Sequence, residues 1–148
     1  MHLRVVSVGR DKGFTAAGAA DYAERLRRFA VLDLVELSAV AGPSAKEREA
    51  ERILSRRSAR GELWALDERG TELTSIDLSR RIGRLRDSAL DLTLCIGGDE
   101  GLAKEVLDAA SFVWSLSRLT LPHRLARVVV LEQLYRAFEI LRGAPYHK

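Results

Sequence analysis

The stretch Leu90-Asp-Leu-Thr-Leu-Cys-Ile96, followed directly by Gly97-Gly-Asp-Glu-Gly101, decides how the rest of the chain is interpreted. Its first part is mostly apolar, which is typical of a strand buried on both faces of a parallel sheet. The paired glycines end the strand, and they let backbone amides approach a ligand closely because no Cβ stands in the way. In open parallel sheets ligands bind beyond the carboxyl ends of the strands, so this glycine loop is the first candidate site.

The glycine loop does not match the common nucleotide-binding patterns. The sequence Gly-x-Gly-x-x-Gly is absent, and the loop follows the last strong strand rather than the first. No Gly-Lys-Ser/Thr follows it, so a Walker-type phosphate loop is excluded. Dinucleotide and ATP chemistry are therefore disfavoured. For the glycines alone, a plain tight turn remains the alternative interpretation.

Toward the N-terminus, strands alternate with helical segments. We predict strands over 3–8, 31–37, 62–66 and 90–96, and helices over 14–29, about 44–60 and about 74–88. Ser44 with Glu47 has the pattern of a capping box, and Thr74 or Ser75 is a candidate cap for the third helix. A turn is predicted over 67–70. Strands joined by helices of this length indicate βαβ crossovers, so the fold class is α/β, a single domain over residues 1–148 with a mostly parallel sheet and helices on both faces.

Beyond the glycine loop the pattern is less regular. We predict a short helix over 102–110, a strand-like segment over 112–121 that Pro122 ends, and a long helix over 125–141. Within the last segment, the run Val128–Leu131 has the propensity of a strand. The length of the periodic segment favours a helix instead.

Composition places the chain among compact intracellular proteins. It has 148 residues, of which 47% are hydrophobic and 30% charged, which excludes a mainly disordered chain and fits one domain. The single cysteine, Cys95, excludes an internal disulfide and a cysteine-rich zinc site. No apolar run is long enough to cross a membrane, and the N-terminus lacks the pattern of a signal peptide. A cytoplasmic protein without membrane contact is expected.

The basic residues are mostly arginine. Net charge is +3, and only Lys12, Lys46, Lys104 and Lys148 of the 24 basic residues are lysines. The planar guanidinium suits phosphates and stacked bases, although a general compositional preference for arginine would give the same count. Two series with a spacing of four are low-priority candidates for RNA contacts, with acidic neighbours as the alternative partners: Arg52, Arg56 and Arg60, then Arg80 and Arg84.

Three segments complete a specific pattern: Gly97-Gly-Asp-Glu-Gly101, Ser115-Leu-Ser-Arg-Leu-Thr-Leu-Pro-His123 and Pro145-Tyr-His147. Together with Val5–Gly9 and Leu66–Gly70, in this order, they resemble the SPOUT methyltransferase superfamily, and within it the ribosomal RNA large subunit methyltransferase H (RlmH) family. The resemblance runs from the first strand to the last residue. It implies a deep trefoil knot near the C-terminus, which general topology rules would not suggest, and an obligate homodimer.

The resemblance also implies a pocket for S-adenosylmethionine built from the knotted loops. Carried over position by position, the cofactor contacts are Leu66, Gly97, Leu116, Ser117, Arg118, Leu119, Thr120 and Leu121. The residue types agree, since leucines can form apolar walls for adenine and a glycine offers its backbone. Buried core leucines would have the same appearance in the sequence.

The implied reaction is methyl transfer from S-adenosylmethionine to N3 of a pseudouridine in 23S rRNA, on the assembled ribosome. A neutral N3 is a poor nucleophile, so the protein has to assist loss of its proton and position the ring. The sulfonium already activates the methyl group, so no metal is required. Candidate catalytic residues are His147 and Tyr146 in the tail and Arg136 on the last helix, for which a salt bridge to Glu132 or Glu139 is the alternative role. For His123, beside the cofactor loop, a structural hydrogen bond is favoured over catalysis.

Two other functions remain open at this point. One is a SPOUT enzyme that methylates another RNA, such as tRNA. The other is a ribosome-binding assembly factor that keeps the fold without the chemistry, although the intact glycine loop and tail disfavour it.

Overall fold

The computed structural model describes every residue from Met1 to Lys148. Strands and helices alternate along the whole chain, as the hydrophobic pattern predicts. Their bounds are β1 His2–Val8, α1 Gly13–Leu26, β2 Val31–Leu37, α2 Ala45–Leu54, β3 Gly61–Glu72, α3 Ser75–Asp87, β4 Asp91–Ile96, α4 Lys104–Ala109, β5 Phe112–Ser115 and α5 His123–Leu141. None of the helices is both long and apolar enough to cross a membrane.

The five strands form one sheet in the order β2-β1-β4-β3-β5, and every neighbouring pair is parallel. The strand predicted to be the most buried, β4, lies at the centre of the sheet, and only Asp91 at its start is partly exposed. Its position explains its composition, because a central parallel strand is covered on both faces. The prediction of a mainly parallel α/β fold is confirmed.

Helices cover both faces of the sheet. Successive residues of β4 enter different cores: Leu94 packs in the larger cluster with α1, α3 and α5, and Cys95 packs in the smaller cluster with α2 and α4. In the larger cluster α1 and α5 lie side by side, and the rings of Phe29 and Phe138 stack with centroids 5.2 Å apart. The carboxyl ends of all five strands therefore meet at one edge, framed by the starts of α1 and α5.

The second helix is shorter than predicted. It ends at Leu54 because the next residues form a tighter turn, and the N–H of Ser58 then donates to Thr93 Oγ1 at 3.1 Å, which ties the chain to β4. Arg56 and Arg60 lie beyond the helix, so the series Arg52, Arg56 and Arg60 does not lie on one face of a helix. The capping box is wrong as well, since the side chain of Ser44 accepts no hydrogen bond from the helix.

The third helix is capped as predicted: Thr74 Oγ1 accepts from the N–H of Asp77 at 3.1 Å. Strand β3, by contrast, runs through the predicted turn over 67–70, and its pairing with β5 shifts register between Leu66 and Thr71. Gly70 permits this shift, because a Cβ there would lie 2.6 Å from the carbonyl oxygen of Val113.

Strand β5 is shorter than its alternating pattern suggests. After it ends, Ser115 Oγ donates to the carbonyl of Ser117 at 3.0 Å, and the N–H of Leu119 donates to Ser117 Oγ at 2.9 Å. These local bonds replace the ladder of a sheet, so residues 116–121 form a loop. The long helix over the last third is confirmed, including the run Val128–Leu131. The trefoil knot stays a prediction.

Candidate functional site

A cavity of about 650 Å³ opens at the carboxyl edge of the sheet. It lies beyond the end of β4 and beside the middle of β3, between the glycine loop after β4 and the loop that joins β5 to α5. Its wall is formed by residues 66–69, 96–101, 116–117, 119–123 and Ala126. The cavity is therefore where the sequence places the candidate site.

Seven of the eight predicted cofactor residues line this cavity: Leu66, Gly97, Leu116, Ser117, Leu119, Thr120 and Leu121. Arg118 does not, since its side chain is 94% exposed and its Nε lies 3.3 Å from Glu72 Oε1. The other eleven lining residues are not among the predicted contacts, and they include Ile96, His123 and Ala126. Ile96 and His123 are in the quoted motifs, and Ala126 follows from His123 by one helical turn.

The glycine loop folds back on itself at the cavity wall. The N–H of Gly101 donates to the carbonyl of Gly98 at 3.0 Å, and Gly101 has a φ of +73°. A Cβ on Gly97 would lie 2.4 Å from the carbonyl carbon of Gly101, far inside van der Waals contact. Glycine at position 97 is thus required by the close approach of two backbone segments.

Carboxylates dominate the β3 and β4 side of the cavity mouth. The acidic residues in the lining are Asp67, Glu68, Asp99 and Glu100, and the one arginine, Arg69, donates to Asp67 at 2.9 Å. Hydrogen bonds from Arg69 hold the pKa of the Asp67 carboxyl below its usual value, so it is ionised at neutral pH. The negative potential of this rim favours a ligand that carries positive charge.

His123 joins three elements at the cavity. Its Nδ1 lies 3.1 Å from Asp99 Oδ1, and its side chain is only 18% exposed. On the other side, a Cβ on Gly9 would lie 3.0 Å from its Nε2, so the ring packs against the turn after β1. This position supports a structural role: the ring spaces the glycine loop from the first loop of the chain.

One turn further along α5, Arg127 anchors that first loop. Its Nη1 lies 2.8 Å from Asp11 Oδ2 and donates to Glu36 Oε1 at 2.6 Å, and the arginine and Asp11 side chains are 4% and 6% exposed. Arg127 and Asp11 form a buried ion pair, and removing either partner would leave the other charge buried without compensation. The loop between β1 and α1 is therefore fixed to the start of α5.

The predicted catalytic residues of the tail form a second cluster, which we call the C-terminal cluster. Tyr146 donates to Glu132 Oε1 at 3.2 Å, and Arg136 Nε donates to the same oxygen at 3.0 Å. The guanidinium carbon of Arg136 lies 4.8 Å from the centroid of the Tyr146 ring. The salt bridge left open for Arg136 is thus present, to Glu132 and not to Glu139. His147 is exposed beside this cluster.

Both donors of the C-terminal cluster are protonated at neutral pH. Burial raises the pKa of the Tyr146 hydroxyl, and the hydrogen bond to Glu132 raises the pKa of Arg136. A neutral phenol and a guanidinium can donate hydrogen bonds to an oxygen that gains negative charge, but neither can take up a proton. Of the predicted catalytic residues, only His147 belongs to a residue type suited to that role near neutral pH.

The cavity and the C-terminal cluster are far apart in one chain. Arg136 follows the lining residue Ala126 by ten positions on α5, which corresponds to about 15 Å along the helix axis. None of the cluster residues lines the cavity. No group of three or more His, Cys, Asp or Glu side chains is arranged to hold a metal ion.

Comparison with known proteins agrees with this geometry. A family model described as "Predicted SPOUT methyltransferase" matches residues 1–147. The chain is 48% identical to ribosomal RNA large subunit methyltransferase H of Anaeromyxobacter sp. (strain Fw109-5), and the match covers 100% of both chains. It is 41% identical to the protein of that name from Hydrogenovibrio crunogenus, over 100% of this chain and 99% of the relative.

Solved structures show the same fold at low sequence identity. A methylase family protein of Haemophilus influenzae superposes with a TM-score of 0.61 at 14% identity, over 99% of this chain and 70% of its own. A methyltransferase of Legionella pneumophila, solved with bound SAM, superposes with a TM-score of 0.53 at 14% identity, over 93% of this chain and 66% of its own. The family model over residues 1–147 and the full-length identity of 41% to 48% to the curated relatives are decisive. The chain belongs to the SPOUT methyltransferases that include ribosomal RNA large subunit methyltransferase H.

Proposed function

We propose that this protein transfers a methyl group from S-adenosylmethionine to N3 of a pseudouridine in the 23S rRNA of the assembled ribosome, in the cytoplasm. The observation that carries the proposal is the cavity at the carboxyl edge of the sheet, lined by seven of the eight residues expected from the family pattern. Relatives named for this substrate match the chain over its whole length, which supports the choice of rRNA.

The lining fits S-adenosylmethionine in size and chemistry. A volume of about 650 Å³ is in the usual range for small-ligand sites. Leu116, Leu119 and Leu121 offer apolar contacts to an adenine ring, and the glycine loop offers backbone groups. Carboxylates at the mouth complement a cofactor that carries a sulfonium and an ammonium group. When bound, the cofactor supplies an electrophilic methyl group.

The C-terminal cluster suits the other half of the reaction. As the N3 proton of the target base leaves, negative charge spreads onto the neighbouring carbonyl oxygens. Arg136 and Tyr146 are donors that stabilise such charge when they are positioned in advance. His147 is the candidate to accept the proton, because imidazole takes up protons near neutral pH. Holding the base in line with the methyl group supplies much of the remaining rate enhancement.

We further propose a homodimer in which each cavity is completed by the C-terminal cluster of the other copy. Support comes from the positions of the lining residue Ala126 and the cluster residue Arg136 on α5 of one chain, which are about 15 Å apart along the helix axis. A residue that far away cannot touch a base held against the cavity. In a two-fold dimer the cavity of each copy lies beside the tail of the other, which gives two equivalent sites.

The decisive experiment follows labelled methyl from S-adenosylmethionine into RNA. Substrates are assembled ribosomes, isolated subunits, naked rRNA and bulk tRNA, all from cells that lack this protein, and the product nucleoside is identified by mass spectrometry. A Gly97→Arg variant, which fills the cavity wall, is the inactive control. We expect N3-methylpseudouridine on assembled ribosomes alone.

Each other outcome of this experiment changes the proposal. Label on tRNA would show that the proposed substrate is wrong and that the proposed methyl transfer is right. If the wild-type protein transferred no label and bound no cofactor, while still binding ribosomes, the chain would be an assembly factor instead of an enzyme.

A further inference from the structure

Residues 9–14, which we call the first loop, join β1 to the first two residues of α1 and carry an aromatic ring in solvent. Phe14 is 79% exposed, and only two other large hydrophobic side chains are exposed in this way, Leu119 and Val31. Leu119 lines the cavity mouth, whereas Val31 begins β2 at the opposite edge of the sheet. Phe14 is the second residue of α1 and lies at the carboxyl edge, on the same side as the cavity.

Helix packing places Phe14 at the same level along the helix axes as the start of α5, which borders the cavity. A Cβ on Gly18 of α1 would lie 3.2 Å from Val128 Cγ1 of α5. Further along both helices the rings of Tyr22 and Tyr135 are 6.2 Å apart, so the helices run in the same direction. One turn back from Gly18 and Val128 brings Phe14 to the level of Arg124, the residue after the cavity-lining His123.

The surface around Phe14 is positively charged. Arg10 and Lys12 are exposed and form no salt bridge, and the partly exposed Arg124 forms none either. The one acid of the loop, Asp11, points inward and is neutralised by the buried Arg127. The loop thus presents only cations and a phenyl ring to solvent, opposite the acidic β3 and β4 side of the cavity.

We propose that this loop is a contact surface for single-stranded RNA. In this proposal Phe14 stacks on an unpaired base next to the target nucleotide, and Arg10 and Lys12 bind the adjoining phosphates. Proteins read unpaired RNA with an aromatic face flanked by basic side chains, because every base has a π-face and every nucleotide a phosphate. The buried pair of Asp11 and Arg127 holds the loop in the position that this contact needs.

Charge favours RNA over a second copy of the chain as the occupant. In the proposed dimer the C-terminal cluster of the other copy approaches this side, and the carboxylate of that cluster, Glu132, already accepts hydrogen bonds from Arg136 and Tyr146, so it is not free to pair with the cations of the loop. An RNA strand instead supplies the negative charge that the loop lacks. This inference rests on the proposed rRNA substrate and assigns to the loop the part of the substrate that lies beside the modified base.

Paired variants test the loop. Phe14→Ala should raise KM for ribosomes about 10- to 100-fold, leave kcat within about threefold and leave cofactor affinity unchanged, since stacking of one base is lost. Phe14→Trp should restore the wild-type KM, because indole also stacks. Arg10→Ala with Lys12→Ala should raise KM and reduce the slope of log KM against log salt by about 1 to 2. Val31→Ala and Arg57→Ala, exposed residues at the other edge of the sheet, are the matched controls.

Two further measurements separate the outcomes. An unchanged KM in the Phe14→Ala variant would overturn the inference. A variant that sediments as a monomer while the wild-type protein sediments as a dimer would overturn it as well, because Phe14 would then be a subunit contact. Ribosome binding, measured by co-sedimentation without methyl transfer, tests the loop even if the wild-type protein proves inactive. If the wild-type protein is active and the Phe14→Ala variant has the same KM for ribosomes, the proposed RNA contact of the loop is refuted and the proposed function stands.

Discussion

Replacing Gly97 by alanine tests whether the glycine loop forms the wall of a cofactor site. Carbon atoms in contact are about 3.5 to 4.0 Å apart, and the new Cβ would start 2.4 Å from the carbonyl carbon of Gly101. The new Cβ would therefore lie about 1 Å too close to this carbon. The carbon belongs to the backbone, so it cannot move away by rotation of a side chain. The loop over 97–101 must therefore move by about that distance.

A displacement of this size should be costly for function. A shift of about 1 Å in a positioning element can reduce the rate about 100-fold, so we expect a loss of about that size in kcat/KM for methyl transfer. Titration calorimetry should show cofactor affinity reduced at least about tenfold, since backbone groups of the wall leave their positions. Thermal unfolding, recorded in parallel, shows whether the variant is folded at the assay temperature.

The neighbouring glycine is a matched control. A Cβ on Gly98 would lie 3.2 Å from Cγ1 of Val8, a side-chain methyl that can give by a few tenths of an ångström. Neither Gly97 nor Gly98 has a positive φ, so the two substitutions differ only in what they meet. We expect Gly98→Ala to keep affinity and kcat/KM within about threefold of wild type. Equal cofactor binding by the two variants would refute the steric reasoning.

Three more outcomes follow from the structure. A heterodimer of Gly97→Arg with a chain lacking residues 145–148, isolated by two affinity tags, should have about half the wild-type activity because one composite site is intact; no activity would place both parts in one chain. Arg127→Ala should lower the free energy of unfolding by about 3 to 5 kcal/mol in urea titrations, since two carboxylates lose their buried partner, and an effect under 1 kcal/mol would contradict this. Bonds from the His2 N–H and Ser58 lower the pKa of Asp91, so the native state binds fewer protons; its stabilisation is present above the ordinary value of 3.8 and is lost as pH falls through the lower native pKa. Asp91→Asn should flatten that acid-induced loss in thermal unfolding, and an unchanged pH profile would argue against it.

The sequence predicted well wherever one hydrophobic period extended over a whole element. The central strand ending at Ile96 and the long helix containing Val128–Leu131 were both identified, because burial on both faces and helical spacing leave clear patterns. The sequence predicts a second helix that is too long, because the chain after Leu54 is held by a hydrogen bond between Ser58 and Thr93, which are 35 positions apart. No local pattern encodes such a long-range contact.

The sequence predicts which loops form the candidate site, but it does not predict the long-range contacts that hold them or the distance between the tail and the cavity. Leu66 and Gly97 follow from the family pattern, and the parallel pairing of β3 with β4, in which Leu66 lies opposite Ile96, brings them together. The burial of Arg127 is different in kind: an arginine on a helix is usually exposed, and only the positions of Asp11 and Glu36 in the fold reveal its partners. The separation of the tail from the cavity likewise depends on where α5 lies.

The strand order also sets when each strand finds its pairing partners during synthesis of the chain. Strand β1 can pair with β2 as soon as Leu37 has been made, yet its other side needs β4, whose partner for Leu3 is Leu92. At about 5 to 20 residues per second, some three to eleven seconds pass between these two events. During that time the inner edge of β1 has hydrogen-bonding groups without partners and is open to wrong pairing. Slow codons placed before β4 would lengthen this interval and should therefore lower the yield of folded protein.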